Sequence, residues 1–159
     1  MLVDLTIKGF LAETAGSAPV PGGGSISALN GAIATALTEM VANLTLGKKG
    51  YEDVAKLMES IKEQARDLRI RYLAGIAEDA AAFDGVIRAV RLPKDTPNRK
   101  DIVQQAFKEA AEIPFSLGKD IFVLVQLAEQ TVRYGNKWVI TDGAIAAMNA
   151  RSAMRSAFY

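Results

Sequence analysis

Two residue types are missing from this chain: none of its 159 residues is cysteine or histidine. Without Cys there is no thiol nucleophile, no disulfide and no thiolate metal ligand. Without His there is no imidazole ligand, and the usual general base near neutral pH is gone. Acid–base chemistry falls to Asp, Glu, Lys, Tyr or water, and no metal site is expected. Aromatics are scarce, at 7%. Neither charge dominates, since 19 basic and 18 acidic residues leave a net +1. No basic stripe with interleaved aromatics occurs, which argues against a nucleic-acid surface. No apolar run approaches the ~20 residues of a membrane span, and the start lacks the basic-then-apolar layout of a signal peptide. The composition predicts a cytoplasmic protein with no membrane or nucleic-acid partner. Half of the residues are hydrophobic and 23% charged, which suits one globular domain over residues 1–159.

What is present is helical periodicity. Residues 2–15 read as a short helix with Leu5, Phe10 and Leu11 on its apolar side. From Ser25, the positions Ile26, Leu29, Ile33, Leu37, Met40 and Leu44 recur at three- and four-residue steps until Gly47. A long helix over 51–92 carries Ile61, Ala65, Leu68, Tyr72, Ile76, Phe83, Val86 and Val90. After Pro93, a cap at Asp95 or Thr96 with Pro97 at the first helical position opens another helix, through Leu117, Ile121 and Leu124. Pro114 lies inside that pattern, so a kink is expected there and not a break. Gly135 and Asn136 end it, and a last helix starts from a cap at Thr141 or Asp142. No run alternates as a strand would. The fold class is all-α, an antiparallel bundle of long helices. The last residues, Ala157, Phe158 and Tyr159, read as an apolar helix still running, as if a further segment or another subunit covered this end.

Four features stand out as candidate sites. Opposite the apolar stripe of the 25–44 helix lie Ala28, Ala32, Glu39 and Asn43, with Ser25 alongside. Small residues there admit either a neighbouring helix or a flat ligand. Asp79 falls in the centre of the long helix's stripe, where a carboxylate must be paired, hydrogen-bonded, protonated or beside a cavity. Asp142 is either an N-cap or part of a narrow polar strip with Asn149, Ser152 and Ser156. The stretch Pro19–Ser25, PVPGGGS, lacks the Gly-Lys-Ser/Thr ending of a Walker loop and follows no strand. Its glycines permit close backbone approach at a helix start, where free N–H groups attract anions; equally, it is a turn capped by Ser25.

Together, these pieces resemble a known family. PGGGSISALNGAIATALTEMVANLTLGKKGY is similar to the signature region of the folate-dependent cyclodeaminase/cyclohydrolase family. The likeness continues through Asp79–Phe83, Ile113-Pro114, Gly135-Asn136 and Thr141-Asp142. The resemblance implies an all-helical, dimeric enzyme with a folate site near the subunit interface, and a further C-terminal segment not seen here. The activity it implies is methenyltetrahydrofolate cyclohydrolase, or alternatively formimidoyltetrahydrofolate cyclodeaminase. A non-catalytic helical dimerisation module is the reading outside enzymes. Carried over, Asp79, Glu39 and Lys48 become catalytic candidates. Gly22, Gly23, Gly24, Ser25, Asn43, Lys49 and Asp142 become substrate-binding candidates. No cofactor is implied beyond the tetrahydrofolate substrate.

Overall fold

A computed structural model describes residues 1–159. Five α-helices carry the chain: α1 Ile7–Thr14, α2 Gly23–Asn43, α3 Ala55–Val90, α4 Arg99–Tyr134 and α5 Ile140–Ala157. Short 3-10 turns, Leu2–Asp4, Glu52–Val54 and Lys137–Val139, precede α1, α3 and α5. There is no strand. Cross-contacts give the directions. Gly24 lies against Asp79 and Glu39 pairs with Arg69, so α2 and α3 are antiparallel. Gly75 meets Leu117, Gly118 meets Phe158, and Ser27 bonds the Ala153 carbonyl, which completes an antiparallel bundle of α2 to α5.

The most informative departure from expectation concerns α2. Its small side is the buried one, including Ser25, Ala28, Gly31, Ala32, Thr35 and Ala42. Ile33 and Leu44, read from sequence as core, remain 43% and 47% exposed. The reason is position. α2 packs against α3, α4 and α5 together, and only small side chains allow three helices so close. A Cβ on Gly31 would sit 3.1 Å from the Tyr72 ring. Thr35, Thr38 and Thr45 return their hydroxyls to their own helix's carbonyls, which satisfies them in the interior. Burial therefore supports the close-packing reading for Ala28 and Ala32.

Other boundaries move by a few residues. The first predicted helix is divided, with Thr6 capping α1 by accepting from Gly9 N on its hydroxyl oxygen; Phe10 is buried while Leu5 and Leu11 are exposed. α4 starts after Asn98, whose φ of 55° is left-handed, and not at Asp95 or Thr96. Arg99 then donates to the Leu92 and Val90 carbonyls, closing the C-terminal end of α3. α4 runs unbroken through Pro114. α5 starts at Ile140, so Asp142 is in its first turn and caps nothing. The Asn136 side chain instead accepts from Trp138 N and begins the preceding 3-10 turn.

α3 and α4 have 36 residues each, against 21 in α2, so they outreach it by roughly 20 Å at 1.5 Å per residue. None of residues 99–116 is buried. The core lies beside α2, in one cluster around Tyr72, Ile76, Leu117, Ile121 and Leu124 and a smaller one of Ala42, Met58, Ile61 and Leu127.

Candidate functional site

At the N-terminal end of α2, a carboxylate from α3 is fixed in place. Ser25 is fully buried, and its hydroxyl donates to Asp79 Oδ2 at 2.8 Å, with the Ile76 carbonyl at 3.2 Å. Gly24 makes room for this, because a Cβ there would fall on the Asp79 carboxylate. The first backbone hydrogen bond of α2 is Ile26 N to Gly22 O. The N–H groups of Gly23, Gly24 and Ser25 precede it and have no helical partner, so this end of α2 carries partial positive charge. Asp79 thus sits where a helix favours an anion. It is half-buried, and it makes no ion pair. Gly23 is exposed with open space beyond its Cα. The Ser25 hydroxyl faces Asp79 and the core, so any ligand contact by this turn falls to its backbone.

The other end of α2 holds a different group. Glu39 accepts from Arg69 Nε at 3.0 Å, not from Asn43. Both Glu39 and Asn43 line an open groove of about 390 Å³ with Ala36, Met40, Leu44 and Arg69. Beyond it, Gly47 and Gly50, at φ +71° and +87°, bend the chain into a tight turn that holds Lys48 and Lys49 out in solvent. Neither lysine makes an ion pair. Asp142 is half-buried in the first turn of α5.

Nine of the ten sequence-derived candidates, all but Asp142, therefore form two groups. Gly22, Gly23, Gly24, Ser25 and Asp79 gather at one end of α2. Glu39, Asn43, Lys48 and Lys49 gather at the other, fourteen residues or about 21 Å along the helix from Ser25. The groove at the Glu39 end includes none of the residues of the other group. Sequence reasoning missed Arg69, since an Arg on the polar side of a long helix looks like any solvated charge. It also missed how the two turns beside Lys48 are joined. Asn136 N donates to Thr45 Oγ1 at 2.8 Å, and Lys137 N to the Tyr51 hydroxyl at 3.0 Å. No three acidic side chains converge as a metal site would require, and no helix is long and apolar enough to cross a membrane.

Comparisons with known proteins agree with this architecture. Residues 6–159 match the family described as formiminotransferase-cyclodeaminase. Methenyltetrahydrofolate cyclohydrolase of Methylorubrum extorquens is 39% identical over 156 residues, covering 96% of this chain and 75% of that protein. Formimidoyltransferase-cyclodeaminase of Mus musculus is 25% identical over 162 residues, covering 99% of this chain but 30% of that longer protein. The crystal structure of formiminotetrahydrofolate cyclodeaminase from Thermotoga maritima superposes with a TM-score of 0.89 at 33% identity, covering 99% of this chain and 76% of that one. By sequence and by fold, the chain belongs to the formiminotransferase-cyclodeaminase family.

Proposed function

We propose that the protein is a cytoplasmic methenyltetrahydrofolate cyclohydrolase that works as a homodimer. The observation that carries the reading is the Asp79 carboxylate, held by Ser25 beside the free N–H groups at the start of α2. The 39% identity to a cyclohydrolase supports the choice of reaction. The 33% identity to a cyclodeaminase of the same fold keeps ammonia release as the second reading.

The substrate's 5,10-methenyl carbon is a cationic, amidinium-like centre. It needs neither a metal nor a covalent nucleophile, which suits a chain without His or Cys. Water adds to this carbon and gives one proton to the Asp79 carboxylate. The tetrahedral adduct then breaks its bond to N5. N5 takes a proton, from Lys48 or from the newly protonated Asp79, and the one proton left on the hydroxyl passes to solvent water as the formyl C=O forms on N10. The negative carboxylate offsets the positive charge of the substrate. Glu39, oriented by Arg69, is the other acidic candidate; Lys49 and Asn43 line the approach, and Asp142 suits the N–H groups of the pterin.

A dimer brings these parts together. Ile33 is the midpoint of α2 and half-exposed. Beside it, Leu5, Ile7, Leu11 and Leu73 surround an apolar groove of about 250 Å³. An antiparallel pairing of two copies across this face sets the Gly23 end of one α2 near the Asn43 end of its partner's. Asp79 of one protomer then faces Glu39, Asn43 and Lys48 of the other, in two equivalent sites. The test is the absorbance of methenyltetrahydrofolate on addition of the protein. Decay to the 10-formyl product above the uncatalysed rate is the expected result. Formation of that absorbance from the formimino compound instead identifies the cyclodeaminase.

A further inference from the structure

Most of the hydrogen-bonding capacity of Arg69 is unused. Its Nε donates to Glu39 Oε2 at 3.0 Å. That contact takes a single N–H of the guanidinium, and the two Nη groups meet no acceptor in this protomer. The Arg69 side chain is 36% exposed and the Glu39 side chain 17%, so the pair is fixed at the edge of α2 yet open on one side. That side is the groove of about 390 Å³, where Ala36, Met40 and Leu44 supply apolar walls and Asn43 an amide. The pair ties α2 to α3, but the Nε contact alone does that. A guanidinium paired with a carboxylate carries no net charge. It therefore attracts an anion weakly, and it does not repel a cationic substrate as a lone arginine does. What remains is a set of directional N–H donors beside apolar walls. Their complement is a flat ring bearing a neutral carbonyl oxygen.

We infer that Arg69 is a specificity-determining residue, whose Nη groups donate to the C4 carbonyl oxygen of a pterin ring lying in this groove. The inference rests on the proposed folate reaction and on its dimer, in which the groove faces Asp79 of the other protomer. In the pterin, the C4 carbonyl carbon is bonded to the ring carbon that bears N5, and the methenyl carbon is attached to N5. A donor fixed on the C4 oxygen therefore sets where the reacting carbon lies relative to Asp79. Glu39 acts here as a positioning residue: it holds the guanidinium in place and cancels its charge. A site built this way rejects a ring that carries a hydrogen-bond donor at C4, because donor then faces donor.

The probes are folic acid and aminopterin, which carry an oxygen and an amino group respectively at C4. Neither has a methenyl bridge, so neither reacts, and calorimetry gives both affinities directly. We expect the wild-type protein to prefer folic acid by about tenfold, the worth of one hydrogen bond to a charged group. In Arg69→Met this ratio falls to one or below, because Glu39 is left unpaired and favours the diamino ring. Arg69→Lys keeps a cation beside Glu39 but lacks the planar fork, so the ratio drops there too while the helical circular dichroism is kept. Arg66→Met, on the same helix and outside the groove, keeps the wild-type ratio. An unchanged ratio in both Arg69 variants means that Arg69 only ties α2 to α3, and it overturns the inference. An enzyme active on methenyltetrahydrofolate that fails to distinguish the probes, binding both equally or neither, refutes this inference alone. An Arg69-dependent preference in a protein that turns over no methenyltetrahydrofolate refutes the cyclohydrolase reading and leaves the pterin site standing. A protein that is inactive and binds neither probe refutes both.

Discussion

A carboxylate at the positive end of a helix is stabilised there whether or not it does chemistry, so Asp79 has to be tested for both duties. Asp79→Asn keeps the shape and an acceptor for Ser25 but removes the base. We expect the helical circular dichroism to be kept and turnover to fall by about 10²–10⁴, the contribution of a positioned acid–base group. Turnover within twofold of wild type makes Asp79 a helix-end anion only. Tyr72 is the opposite kind of residue. It is fully buried, and its hydroxyl has no partner. Burial pushes its pKa up, with Asp120 adding to the rise and Arg71 opposing it. Its folded pKa therefore exceeds the ordinary value of about 10. The associated stability is intact below that pH and is lost as pH rises through the folded pKa, while the unfolded chain ionises first. Tyr72→Phe should flatten this alkaline loss in urea melts and leave neutral-pH stability equal or higher by about 1 kcal/mol. A large loss at neutral pH would reveal a partner for the hydroxyl. Asp79 was legible in the sequence because a carboxylate in an apolar stripe needs a reason. Arg69 was not, since only the fold shows which carboxylate it faces.

At the scale of elements, α2 decides the arrangement. The chain's punctuation at Gly47, Pro93, Pro97 and Gly135 made the helices legible to within a few residues. The buried side of α2 was not legible in the same way. Periodicity weighs hydrophobic size, whereas a helix in contact with three others is limited by closeness, and that favours Ala, Gly, Ser and Thr. The large residues were displaced outward, where they form the face used in the dimer proposed here. Gly24 joins α2 to α3 at the candidate site, and Gly24→Ala is its natural test. The new methyl has no place except where the Asp79 carboxylate lies. We expect a loss of about 1–3 kcal/mol, as for an overpacked position, and a fall in turnover comparable to that of Asp79→Asn. Activity and stability both unchanged would mean that the carboxylate moves freely and is not held for catalysis.

The whole molecule separates its two groups of candidate residues by most of the length of α2. Helix rise alone separates Ser25 from Glu39; what the sequence could not show is which end of α2 meets Asp79, because linear order says nothing of which ends meet. In the account proposed here, the distance is closed by a second copy. The most direct measurement mixes two inactive proteins, Asp79→Asn and Glu39→Gln, after dissociation and reassociation, and follows methenyltetrahydrofolate absorbance. In a mixed two-fold dimer, one of the two sites receives both wild-type residues, so about one quarter of all sites become competent at equal mixing. The account predicts activity returning towards that level, with sedimentation showing dimers. Dimers that form freely yet stay as inactive as either parent would contradict it.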